Sequence, residues 1–342
     1  MPRQKGQFVN SACLSAQPYD YVDTSALGGP RFVVTVDTEE EFDWSKPFAR
    51  AGFGTEHLKH LPKFQELCEN FGITPCYMVD LPVVNDNFGA DLLHGYTRDG
   101  RAEIGIQLHP WVNPPFVEEL NIRNSFACNL PAELERAKLT HLYNAIVRRI
   151  GVQPDAYRAG RYGVGAATPD ILLELGIAID SSVRAGFDYS DTYGPDFSRH
   201  TGRPYWVRKG SVMELPLTTV FAGALRGRAQ GIFNSRLCTP QARALLSRSR
   251  LLERIALTPE GIPLAKALRG VDLAMADRLP IINISLHSPS LAVGHTPYVR
   301  NVEQLERLYA WLSGVFSYLH NRAVQPINMA EIKKASGITG FR

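Results

Sequence analysis

The sequence predicts an α/β fold in which the strands of a parallel sheet alternate with helical crossovers. Short apolar runs recur along the chain, and stretches with apolar residues at spacings of three and four follow several of them. With 342 residues, 44% of them hydrophobic, the chain can also bury a large core. A prior of about 150 residues per domain suggests two domains, yet α/β barrels of about 250 residues fold as one. A single decorated domain over residues 31–342 is therefore expected, with a loop and helical insertion around 186–277.

Residues 1–30, with Gly, Pro, Ser and Asn and little periodicity, read as an irregular N-terminal arm, and RFVVTVD after Gly28-Gly29-Pro30 as a buried strand. Leu58, Leu61, Phe64, Leu67, Cys68 and Phe71 form one helical stripe closed by Gly72. ITPCYMVD reads as a strand, Phe88 to Arg98 as a helix, EIGIQLH as a strand and PAELERAKLTHLYNAIVRRIG as a long amphipathic helix. AYRAG, the helix TPDILLELG with Pro169 in its first turn, and IAIDSSV continue the alternation. Gly186 to Arg208 reads as loops, SVMELPLTTV as one strand, and 240–277 as two helical patterns, with SRSRLLERIAL a solvated helix face. IINISLH, the helix VEQLERLYAWLSGVFSYLH, a short strand at Gln325 to Asn328 and a last helical turn close the chain.

The net charge of +3 comes with no basic stripe, and no G-x-x-x-x-G-K-[ST] or Rossmann fingerprint occurs. Nucleic acid and nucleotides are not expected as partners. No run of about 18 apolar residues can span a bilayer, and the first residues lack the apolar stretch of a secretory signal, so a cytoplasmic protein is expected. Cys13, Cys68, Cys76, Cys128 and Cys238 are odd in number and lack C-x-x-C spacing, which argues against a disulfide framework.

Residues two apart on a strand share a face. Thr35, Asp37 and Glu39 therefore lie together, as do Gly105, Gln107 and His109, and Asn283, Ser285 and His287. Ionisable residues close five strands: Asp37/Glu39, His109, Arg158, Asp180 and His287. In parallel α/β barrels the C-terminal strand ends converge on one mouth. A lone histidine there is usually structural; five such strand ends point to a shared site.

The strings TVDTEEEFDW, EIGIQLHPWVNPP, YRAGRYGVG, DSSV and ISLHSPSL, in this order, resemble the polysaccharide deacetylase family, the NodB-homology carbohydrate esterases. The resemblance spans about 31–335 and implies a distorted (β/α) barrel with fewer than eight strands. It further implies metal-assisted removal of an N-acetyl group from an amino sugar or oligosaccharide, with a divalent metal, zinc by family likeness. Asp37 would be the general base, Arg158 its orienting cation, His287 the acid that protonates the leaving amine, and Asp180 the carboxylate that orients His287. Glu39 and His109 would be metal ligands, and the backbone near Tyr162 an oxyanion site. A cation suits this chemistry because it polarises an amide carbonyl and lowers the pKa of water from about 15.7 toward about 7. An amine leaves only once protonated, which calls for a group such as histidine.

The chain departs from the family pattern in three places. Thr38 follows the base where the family has Asp, and Gln107 and Trp111 stand where it has histidines. Glu39 and His109 alone make two ligands, short of the three of catalytic zinc, and the Gln107 amide oxygen is the third candidate, one that suits Mg, Ca or Mn better. Trp111, Arg161 and Tyr162 are candidate sugar contacts, Trp111 with Pro114 and Pro115 as a ring platform, although packing and turn formation explain them equally. Glu40 and Glu41 read as solvated loop charges, His295 as shaping the mouth, and His57, His60, His94, His141, His200 and His320 receive no role. Two other readings remain: a barrel that binds glycan without turnover, and a hydrolase of another C–N amide such as a ureide or cyclic imide.

Overall fold

The computed structural model describes residues 19–43, 46–233 and 239–338. Most of the expected arm, and Cys13 and Cys238, lie outside them. The described residues form eleven strands: β1 (Arg31–Thr38), β2 (Cys76–Val79), β3 (Glu103–Leu108), β4 (Ala156–Ala159), β5 (Ile179–Asp180), β6 (Tyr205–Arg208), β7 (Val212–Glu214), β8 (Thr219–Ala222), β9 (Glu253–Ala256), β10 (Ile281–His287) and β11 (Gln325–Pro326). The main sheet runs β10-β1-β2-β3-β4-β5-β7-β6, with β11 on the start of β1. From β10 to β7 every pairing is parallel, and β6 is antiparallel at the edge.

Seven parallel strands in sequence therefore curl toward a barrel that no eighth strand completes. The gap is crossed by the extended segment 215–218, whose Leu217 N–H donates to Val183 O (2.9 Å) and Thr218 N–H to Asn283 O (3.3 Å). This is the distorted, incomplete barrel that the sequence predicts.

The outward faces of the strands bury Val34, Val36, Tyr77, Ile104, Ile106 and Ile284 under the helices. Leu58, Leu61, Phe64 and Cys68 supply the stripe of the first crossover, a 3-10 turn Glu56–His60 running into the helix Leu61–Asn70. The helices Asn87–Arg98, Ala132–Arg149, Thr168–Leu175, Leu264–Ala276 and Val302–Asn321 match the expected periodic segments. A second apolar cluster fills the lower interior with Val33, Cys76, Met78, Ile179, Met213 and Ile281. It is sealed by Met329 and Ile332 of the helix Met329–Ala335, whose first N–H groups (Met329 and Ala330) are capped by the Glu103 carboxylate at 2.6 and 2.9 Å. The barrel is thus plugged below and polar above.

Three segment readings change. SVMELPLTTV is two strands, β7 and β8, because Pro216 has no N–H to continue the ladder. Inside SRSRLLERIAL lies β9, which pairs with β8, and β6 falls in the segment read as loops. Cys68, Cys76 and Cys128 are free thiols.

Candidate active site

The upper ends of β1, β3, β4 and β10 surround a cleft of about 400 Å³, within the range of small-molecule sites. Asp37, Glu39, Gln107, His109, Arg161, Tyr162 and His287 line it. The inward register explains this: Gln107 pairs with Arg158 across β3 and β4, and Asp37 with His287 across β1 and β10.

Arg158 is fully buried and makes four hydrogen bonds. It pairs with Asp37, donates through Nε to Ser181 O (2.9 Å), and through Nη2 to Thr35 Oγ1 (2.8 Å) and Ser181 Oγ (3.1 Å). Asn283 ties into the same layer through Thr35 Oγ1 (3.0 Å) and Ser181 Oγ (3.0 Å). A buried carboxylate is tolerated when so paired, and Asp37 is positioned by four strands at once.

The other oxygen of Asp37 lies 3.6 Å from His287 Nε2. His287 Nδ1 meets Glu260 Oε2 at 2.6 Å, and Glu260 Oε1 accepts from His287 N–H (3.2 Å) and Ser290 Oγ (2.6 Å). Desolvation lowers the His287 pKa, but the carboxylates of Glu260, Glu39 and Asp37 together raise it to about 10. The imidazole is therefore protonated at neutral pH.

The carboxylate that orients His287 is thus Glu260, and not Asp180. Asp180 stands in register with Tyr157 on the outward face of the sheet, where Ser182 Oγ donates to it, and it does not line the cleft. Glu260 sits in a turn between β9 and the next helix, where no period marks it.

Near the end of β3, Glu39 Oε2 lies 3.1 Å from Gln107 Nε2 and 3.4 Å from His109 Nε2. Gln107 Oε1 is buried with no partner among the described residues, and a half-turn of the amide would bring it toward Glu39. Burial pushes the Glu39 carboxyl up to about 8. The three residues named from the sequence therefore meet at one point. On the far side of the imidazole, Nδ1 meets Glu40 Oε2 at 2.7 Å and Asp80 Oδ2 at 3.7 Å. Glu40, Asp80 and His109 are a buried acid–imidazole group capable of holding a metal. Their oxygens are already committed, however: Glu40 Oε1 to Trp111 Nε1–H (2.7 Å), Asp80 Oδ2 to Glu40 N–H (2.8 Å) and Asp80 Oδ1 to Val83 N–H (3.0 Å).

Two loop residues correct the sequence reading. Glu40 is 1% exposed and holds His109 and Trp111, so it is no solvated charge. Trp111, 1% exposed, is stacked on His109 with ring centroids 4.3 Å apart, and packs behind the site instead of offering a platform. His57, which received no role, links Glu41 to Ser288 Oγ (2.7 Å), and Ser288 in turn accepts from Glu39 N–H (3.4 Å).

Arg161 and Tyr162 do face the cleft. In the Gly-Arg-Tyr-Gly turn it is Arg161 (φ 55°) and Tyr162 (φ 60°) that take the left-handed region, a conformation costing about 1–3 kcal/mol per residue. Gly160 is required for another reason: a Cβ there would lie 2.3 Å from His109 Cδ2 and 2.6 Å from Leu108 O. Cavity-lining residues without sequence signal are Arg184 and Tyr189.

No family model and no curated protein matches this sequence. Solved structures do. A protein described as a polysaccharide deacetylase from Mycobacterium smegmatis superposes with a TM-score of 0.51 at 17% identity, covering 94% of each chain. A probable polysaccharide deacetylase from Pseudomonas aeruginosa PAO1 gives 0.51 at 11% identity over 97% of each chain. An allantoinase gives 0.52 at 12% identity over 98% of this chain and 97% of its own. In fold, the chain is similar to solved polysaccharide deacetylases, as its motifs imply, and that barrel also serves an allantoinase.

Proposed function

We propose that the chain is an amide hydrolase of the polysaccharide deacetylase kind, releasing acetate from an N-acetylated amino sugar or oligosaccharide. The observation that carries this is the Arg158–Asp37–His287–Glu260 line, which sets a paired carboxylate 3.6 Å from a protonated imidazole beside the Glu39, Gln107 and His109 donors.

The donor set fits a divalent cation. A buried carboxylate, an imidazole nitrogen and an orphaned amide oxygen converge, and desolvation raises the pKa of Glu39 despite the nearby His287 and His109. Glu39, His109 through Nε2 and Gln107 through Oε1 would hold the ion. The Nδ1 hydrogen bond to Glu40 sets the tautomer that leaves Nε2 free, the usual support of a histidine ligand. Bound there, the ion would polarise the amide carbonyl and acidify water.

Asp37 accepts a proton from the attacking water as its oxygen bonds to the amide carbon. Arg158 orients the carboxylate and balances its charge. His287 gives its proton to the amide nitrogen as the C–N bond breaks, so amide and water become acetate and amine. Glu260 then favours reprotonation of the imidazole. An allantoinase shares the fold, and ureides belong in the substrate panel for that reason.

The test is acetate release from N-acetylglucosamine oligomers by purified protein, with allantoin and a cyclic imide in parallel, together with bound-metal analysis. Hydrolysis that a chelator abolishes and added metal restores is expected. Glycan binding indifferent to chelator, with no product, would favour the non-catalytic barrel instead.

A further inference from the structure

Arg184 follows the DSSV string, bridges to Leu217 beyond the end of β5, and lines the cleft with no carboxylate paired to it among the described residues. Its partners are the Tyr189 hydroxyl (Nη1 to Oη, 3.2 Å) and the rings of Phe187 and Tyr162, 4.0 and 5.4 Å from Cζ. Glu260, which lines the same cleft, is committed to His287 and Ser290. The contrast with Arg158 is direct: one guanidinium is paired with a carboxylate deep in the barrel, while the other is half-buried at the cleft wall among aromatic rings.

A guanidinium drawn partly out of water among aromatic faces keeps a planar fork that matches a carboxylate in two hydrogen bonds. Tyr162, stacked on Tyr189 at 5.7 Å, lines the same cleft as Arg184 and Asp37. An anion on Arg184 would therefore belong to the same molecule whose amide sits over Asp37 and His287.

We propose that Arg184 receives a carboxylate carried by the amide substrate, so that the cleft selects acidic over neutral N-acyl compounds. This rests on the amide-hydrolase reading for its substrate class, but the recognition is measurable without turnover. Phe187 and Tyr162 hold the guanidinium plane, and Tyr189 fixes one of its nitrogens, leaving the rest of the fork for the ligand.

The experiment is titration calorimetry with matched probes. N-acetylmuramic acid and N-acetylglucosaminuronic acid each carry a carboxylate that N-acetylglucosamine lacks, and N-carbamoylglycine carries one on a linear amide. At least one acid is expected to bind about 10- to 100-fold more tightly than N-acetylglucosamine, with an affinity that falls as salt rises. Arg184→Gln should bring that ratio near unity, and Arg184→Lys should retain the salt dependence with part of the preference. Whether a sugar acid or the linear acid wins identifies the source of the anion. Equal, salt-independent binding of acids and the neutral sugar by the wild-type protein would overturn the proposal, as would a preference that survives in Arg184→Gln. Acid-selective binding without acetate release would defeat the hydrolase reading alone, and acetate release without acid preference would defeat this one alone.

Discussion

The sheet buries acidic groups on both of its faces, and it treats them in opposite ways. Inside, Asp37 has Arg158, and His287 has Glu260. Outside, Tyr157, Asp180, Glu214 and Tyr205 stand in one lateral row across β4, β5, β7 and β6. Asp180 Oδ2, Glu214 Oε2 and the two phenol oxygens have no hydrogen-bond partner among the described residues. Burial pushes Asp180 up to about 7 and Glu214 well above its ordinary value, and Glu135 above the same face is raised to about 7 by the same cause. The difference teaches that burial by itself converts a carboxylate into a neutral structural group; a charged partner on the same face makes it a base.

The largest effect that would break this comparison is on rate. Asp37→Asn should lower acetate release about 10³-fold, the scale of a lost general base, whereas Asp180→Asn should stay within about threefold, because a neutral acid is replaced by its neutral likeness. Equal losses in steady-state kinetics would mean that the two faces are not separate in function.

Next comes the metal. His109→Gln should weaken divalent-cation binding by at least about 100-fold and Glu40→Gln by about 10-fold, the second because it only supports the imidazole. Equilibrium dialysis reads both, and an equal drop would move the ion to the Glu40 and Asp80 side of the ring. Glu260→Gln should cost about 10- to 100-fold in kcat with little change in KM, since it removes the carboxylate that keeps His287 charged and aligned.

The smallest effect is a pH-dependent stability. Asp180 and Glu214 have folded-state pKa values raised above those of the unfolded chain, so folding favours their protonated forms. That contribution is complete below about pH 4 and, for Asp180, is lost as pH rises through about 7. Glu214→Gln should thus match the wild type near pH 4 and be more stable than it at pH 8. Parallel melting curves at both pH values would refute a buried, proton-holding row.

What could be read in the sequence followed strand length. β1, β3 and β10 each alternate over six or more residues, so the phase placing Asp37, Gln107 and His287 inward was visible, and His109 follows on from β3. β5 has two residues, too few to show which way Asp180 points. Its register with Tyr157, decided by β4, turned it outward. Glu260 and Arg184 were illegible because they lie on loops brought in by long-range folding, where no local spacing marks function. Glu40 and Trp111 were misjudged for a related reason: the chain after β1 folds back beneath the site, so a charge that reads as surface becomes a buried hydrogen-bond acceptor.

The helix Met329–Ala335, seated on Glu103 beneath the apolar lower interior, acts as a cork in the barrel. In the proposed reaction the incoming amide, the acetate, the freed amine and the proton that resets His287 would then all use the cleft mouth at the opposite rim of the described residues. A long polymer cannot be threaded through from end to end, so any such chain has to present its acyl group at an outer edge.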